Sequence, residues 1–154
     1  METDELTQRI PPEVVADLVS MAWQTFVGSE LETVEAVPAG DRPIMCSSIA
    51  VGGPWSATVV LYFSRAIAFS GTATVLGMEP DEVDEADVRD IIGELANIVG
   101  GNVKGFVSDA DSDWTLSLPV VSDGTLSVPG SRLATEVVFL CDGEFIGCQI
   151  REHL

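Results

Sequence analysis

RDIIGELANIVGGNVKG, residues 89–105, is the stretch on which the fold turns. At about 100° per residue, Val88, Ile91, Ile92, Leu95, Ile98, Val99 and Val103 gather on one side. That spacing predicts a helix over 84–103 with those residues in the core. Yet the stretch holds four glycines, Gly93, Gly100, Gly101 and Gly105, and each glycine inside a helix costs roughly 1 kcal/mol relative to alanine. Opposite the apolar side runs a stripe of Asp90, Glu94, Asn97 and Gly101, with Gly93, Ala96 and Gly100 beside it. A solvated helix face ordinarily carries Lys, Arg, Gln or Glu there. Small residues instead let another macromolecule come close, and Glu94 and Asn97, three residues apart, project side by side. The residues alone leave two readings open: a docking ridge, or a solvated face whose glycines fray.

Working outward, residues 12–28 have helical spacing, with Pro12 suited to the first turn and Gly28 to the stop. Strands are expected over 32–37, 44–51 and 55–63, the last two forming a hairpin around the Gly-Gly-Pro turn at 52–54. The small residues of 66–77 are ambiguous and suggest a short helix. An acidic linker, MEPDEVDEADV, then leads into the long helix, its carboxylates near the helix N-terminus where the dipole favours them. Strands follow over 114–122, 135–141 and 144–151, separated by the turn-rich DGTLSVPGSR. The order falls into two similar halves, and Asp17 and Asp90 occupy matching places in the two long helices, which suggests an internal duplication. The expected fold is α+β: a mostly antiparallel sheet with two long helices packed on it, in one domain spanning 1–154.

Composition narrows the function. The chain has 154 residues, 46% of them hydrophobic, enough for a real core. With 25 acidic against 7 basic residues and a single lysine, Lys104, it lacks the clustered cations that bind nucleic acid or anionic membranes. No apolar run is long enough to span a bilayer, and METDELTQRI does not resemble a signal peptide, so a cytoplasmic location is expected. Cys46, Cys141 and Cys148 read as reduced thiols. A two-residue turn at Asp142-Gly143 pairs Cys141 with Glu144 and Val137 with Cys148, which keeps those two sulfurs apart. One histidine, His153, leaves zinc sites and histidine-based triads without support. Asp109, Asp111 and Asp113 begin like a calcium loop, but Trp114 and Val120 stand where Gly and Glu are needed, so a solvated turn is expected. Trp23, Trp55 and Trp114 are read as core or interface anchors.

DIIGELANIVGGNVKG resembles the signature of the CheC/CheX/FliY chemotaxis phosphatases: an Asp or Ser, three residues, Glu, two residues, Asn, and a later Pro. Here these are Asp90, Glu94, Asn97 and Pro119, the proline about one position early. The first helix keeps Asp17 but has Met21 and Gln24 where the Glu and Asn would stand. With one intact copy, the chain is most similar to the CheX type. The resemblance implies hydrolysis of the aspartyl phosphate on a CheY-like response-regulator receiver domain. Glu94 would pair with the receiver's lysine, and Asn97 would orient the attacking water. Asp90, Gly93, Gly100 and Gly101 are expected at the partner's edge. No cofactor or metal of the chain's own is implied, because the Mg²⁺ belongs to the partner, and a homodimer is suggested. The alternatives are a receiver-binding regulatory or scaffold module without turnover, and a flagellar-switch-like structural subunit.

Overall fold

A computed structural model describes residues 10–108 and 112–154. In chain order the elements are α1 (Pro12–Phe26), β1 (Glu32–Val34), β2 (Ile44–Gly52), β3 (Ala57–Ser64), α2 (Arg65–Leu76), a 3₁₀ turn (Pro80–Glu82), α3 (Glu85–Val107), β4 (Thr115–Leu116), β5 (Val120–Asp123), β6 (Ser131–Cys141) and β7 (Glu144–His153). The strands form one sheet in the order β1-β6-β7-β3-β2-β4, with β5 also on β2. Every pairing is antiparallel. The α+β expectation therefore holds, with three helices of 15, 12 and 23 residues among the described residues. The strand order is unchanged when each half's strands are exchanged for the other's. By itself this order does not establish a duplication.

The helix-facing side of the sheet is built in rows, because paired strand residues share a face. Met45, Phe63, Ile146 and Phe139 form one row, and Ser47, Leu61, Cys148 and Val137 the next. All eight are buried. The hairpin turn lies where the sequence places it. Asp142 has φ 51° and Gly143 φ 78°, the left-handed pair that matches strand twist. Cys141 faces Glu144 and Val137 faces Cys148, and all three cysteines are free thiols. On the other face Tyr62 lies over its paired residue Gly147, where no side chain would fit.

Three strands differ from expectation, one of them β6, which begins at Ser131 rather than 135 and so takes in the end of the expected loop. β1 is three residues long rather than six, ending at Val34. The run expected over 114–122 is broken in two, at Ser117–Pro119. There Ser117 substitutes its hydroxyl for a ladder carbonyl: its Oγ accepts from the Ala50 N–H at 2.8 Å, while its own N–H donates to Ala50 O. Pro119 has no N–H to give, and a proline inside a strand is confined to such breaks. Leu118 is left 85% exposed.

Candidate docking and catalytic ridge on α3

α3 begins on a capping box. Asp84 accepts from the Asp87 N–H at 2.9 Å, and Asp87 accepts from the Asp84 N–H at 3.3 Å. Its first turns are tied to the end of β5. Arg89 donates to Val121 O at 3.0 Å and lies 3.8 Å from Asp123, while Arg65 bridges Asp123 and Glu85. Lys104 sits in the last turn, where the helix dipole favours a cation.

The buried side of α3 is Val88, Ile92, Gly93, Leu95, Ala96, Val99, Gly100 and Val103. This corrects the expected placement of Gly93, Ala96 and Gly100, and leaves Ile91 and Ile98, expected in the core, half-buried. Gly93 and Gly100 do not rim the outer ridge; they face the sheet. A Cβ on Gly93 would touch Val121 and Pro119, and one on Gly100 would stand 2.3 Å from Ile49 Cγ2. At Gly100 the absent side chain lets α3 settle onto β2, whereas at Gly93 an added Cβ would meet its neighbours at ordinary contact distance. Burying Val88, Ile92, Leu95, Val99 and Val103, at about 1.5–3 kcal/mol each, outweighs the lost helical propensity. Gly101 and Gly105 do face outward, with nothing within 4 Å of an added Cβ.

The outer side carries Asp90 and Glu94, both exposed, and Asn97, half-buried. Among the described residues, neither the Glu94 carboxylate nor the Asn97 carboxamide has a hydrogen bond or ion pair. The two sit on adjoining turns, and Asn97 lies toward the broken strand because it shares its side of the helix with Gly93, one turn earlier. Pro119 is beside that same turn. The site is thus a charged acceptor and a neutral amide, presented together and unspent. A carboxylate there can meet a visiting cation. The amide can both donate to and accept from a water without adding negative charge.

On α1, Asp17, Met21 and Gln24 are all exposed, Met21 by 63%, so the first helix turns its reduced signature outward too. Trp23 and Trp55 are buried and Trp114 is half-buried against the core. Asp109 and Asp111 lie outside the described residues. Among those described, no three His, Cys, Asp or Glu side chains are grouped to hold a metal ion, and no helix is long and apolar enough to cross a membrane. The sequence reading missed Pro119's contact with Gly93 and the Arg89–Asp123 tie. Both are long-range; only the proline's motif spacing gave a signal.

Residues 45–139 match the family described as Chemotaxis phosphatase CheX. No curated protein matches the chain. Among solved structures, the chemotaxis protein CheX from Vibrio vulnificus is 20% identical with a TM-score of 0.77, covering 96% of this chain and 98% of that one. The CheX–CheY–BeF3–Mg²⁺ complex from Borrelia burgdorferi gives 16% identity and a TM-score of 0.70, covering 92% and 97%. FliY from Thermotoga maritima gives 13% and 0.62, covering 98% and 89%. At these identities the likeness is one of fold.

Proposed function

The chain belongs to the CheX family of chemotaxis phosphatases, and from that premise we propose that it hydrolyses the aspartyl phosphate of a CheY-like response-regulator receiver domain. The observation that carries this reading is the exposed Glu94 beside the accessible, unpartnered Asn97 on one outward side of α3. A CheX from Borrelia burgdorferi of the same fold has been solved in complex with CheY, which supports a receiver as the partner.

In this reading α3 docks over the receiver's phosphorylation pocket. Glu94 pairs with the receiver's lysine and fixes the register. Asn97 holds a water in line with the phosphorus–oxygen bond to the receiver's aspartate. The water's oxygen bonds to phosphorus, the aspartyl oxygen leaves with the bonding pair, and inorganic phosphate and a free carboxylate result. An acyl phosphate is already reactive, so positioning and electrostatics are what the phosphatase must add. A neutral amide does this without repelling the phosphoryl oxygens, as a second carboxylate would. The Mg²⁺ and lysine around the phosphoryl group belong to the receiver. Asp90 and Gly101 sit at the edge of the footprint.

A homodimer forms part of the same proposal. Among the described residues, β1 covers β6 only over Val138–Leu140, and a second copy would extend the sheet along the rest of that edge.

The test is single-turnover loss of phosphate from receivers of the source genome. Wild type should accelerate it, Asn97→Ala should abolish the acceleration while still binding, and Glu94→Ala should weaken binding. Binding without acceleration by wild type would replace the enzyme with a regulatory module, and no binding at all would remove the receiver.

A further inference from the structure

Next to the ridge lies a cavity of about 530 Å³ between the three helices, lined chiefly by Met21, Thr25 and Phe26 of α1, Val75 of α2, and Ile98 and Asn102 of α3. In a chain with 25 acidic and 7 basic residues, no charged side chain among the described residues lines it. Met21 stands at its mouth, 63% exposed, and Phe106, one turn beyond Asn102, is exposed as well. The cavity is continuous with the ridge. Ile98 follows Asn97 directly and lies four residues from Glu94, so one wall of the groove is the flank of the catalytic turn.

Area and charge say what this groove is for. A specific complex covers about 800 Å² on each partner, far more than Glu94 and Asn97 supply, so a docked domain must spread onto a shoulder of α3. The ridge and the facing turn of α1 are acidic, with Asp17, Asp90 and Glu94 all exposed, and an acyl phosphate is itself anionic. The uncharged groove is where such a partner can be gripped without like-charge contact, and anchors seated in apolar pockets are where interface energy concentrates. A methionine at the mouth adapts to the shape it meets.

We propose that this groove is the specificity pocket for the phosphorylated receiver, taking a bulky apolar side chain that the receiver presents beside its phosphorylation site. This rests on the receiver reading above. The loss of the first signature copy then has a consequence: Met21, in place of a carboxylate, converts a second acidic site into an apolar grip for the partner held by α3.

The test uses Met21→Lys and Thr25→Glu in the full chain, with Met21→Leu as the conservative variant. The probes are the receivers of the source genome, charged with beryllofluoride and Mg²⁺ for binding and with phosphate for turnover. The two disruptive changes carry opposite charges, so a weakening common to both reports lost apolar fit rather than a field. We expect Kd and KM to rise about tenfold or more in both, kcat at saturating receiver to be retained, and Met21→Leu to match wild type. Unchanged Kd and KM in both variants, with wild type active, would overturn this inference alone. So would sedimentation showing that they dissociate a dimer while receiver binding is unaffected, since the groove would then belong to a second copy. A wild type that binds none of the receivers would overturn this inference and the receiver reading together.

Discussion

Pro119 packs against Gly93: a Cβ on the glycine would lie 3.9 Å from the proline's Cβ and Cγ, an ordinary contact distance. The contact joins the break between β4 and β5 to the turn of α3 just before Glu94 and Asn97. The break in the edge strand thus lies directly beneath the turn of α3 that carries the ridge, and braces it from below. Arg89 and Asp123 tie the same two elements together nearer the start of the helix.

Asn97→Asp keeps the shape of the side chain and adds a negative charge where the proposed function puts the anionic phosphoryl group. Losing a preorganised donor at a reacting centre typically costs about 10²–10³ in rate, and repulsion adds to it. Dephosphorylation by this variant should fall to the receiver's own rate, measured by phosphate release, while the half-buried position lets the protein fold normally.

Gly100→Ala and Gly101→Ala should have opposite signs, although the residues are adjacent. An alanine Cβ at 100 would be 2.3 Å from Ile49 Cγ2 and 3.4 Å from Leu116 Cδ1. Overpacking of that kind costs about 1–3 kcal/mol, against roughly 1 kcal/mol gained in helix propensity. At 101 there is open space, and only the gain remains. Urea unfolding midpoints of the two variants check this directly.

Asp84→Ala removes the acceptor for the Asp87 N–H, at 2.9 Å in the capping box of α3. A lost N-cap of this type costs about 0.5–2 kcal/mol. The expected result is a lower denaturant midpoint with an unchanged slope, since no surface is newly exposed in the native state.

Cys148 supplies a pH dependence. Complete burial on the helix face of the sheet pushes its thiol up from 9.0 to about 12, with the Glu136 carboxylate adding to the rise. The folded chain keeps a proton that the unfolded chain releases, so above the unfolded value stability must fall as pH rises. The contribution is complete below pH 9.0 and drops by about 1.4 kcal/mol per unit toward pH 12. Burial raises the Cys46 thiol as well, with the same sign. Stability measured from pH 8 to 11 should therefore decline more steeply for wild type than for Cys148→Val.

How much of this was legible in the sequence follows from the range of the interactions involved. Period and turn chemistry are local, and they were enough for α1, for the β2–β3 hairpin, and for the Asp142-Gly143 turn with its register. The same local spacing set Glu94 and Asn97 side by side, because neighbours three apart on a helix are fixed by its geometry. The sequence also carried the family signature on those residues.

Which way the helix turned was another matter. From residues 89–105 alone, Gly101 falls within the outer stripe and Gly93 and Gly100 beside it, with nothing to say whether those two meet water or the sheet. Only the approach of Ile49, Val121 and Pro119, from strands far away in the chain, decides that two of them lie beneath the helix and one on top. The break at Ser117–Pro119 and the groove at Met21 are settled in the same way, by what packs on the opposite side. A lone helix determines the order of residues around its own axis. The direction that axis presents to water is set by the sheet it rests on.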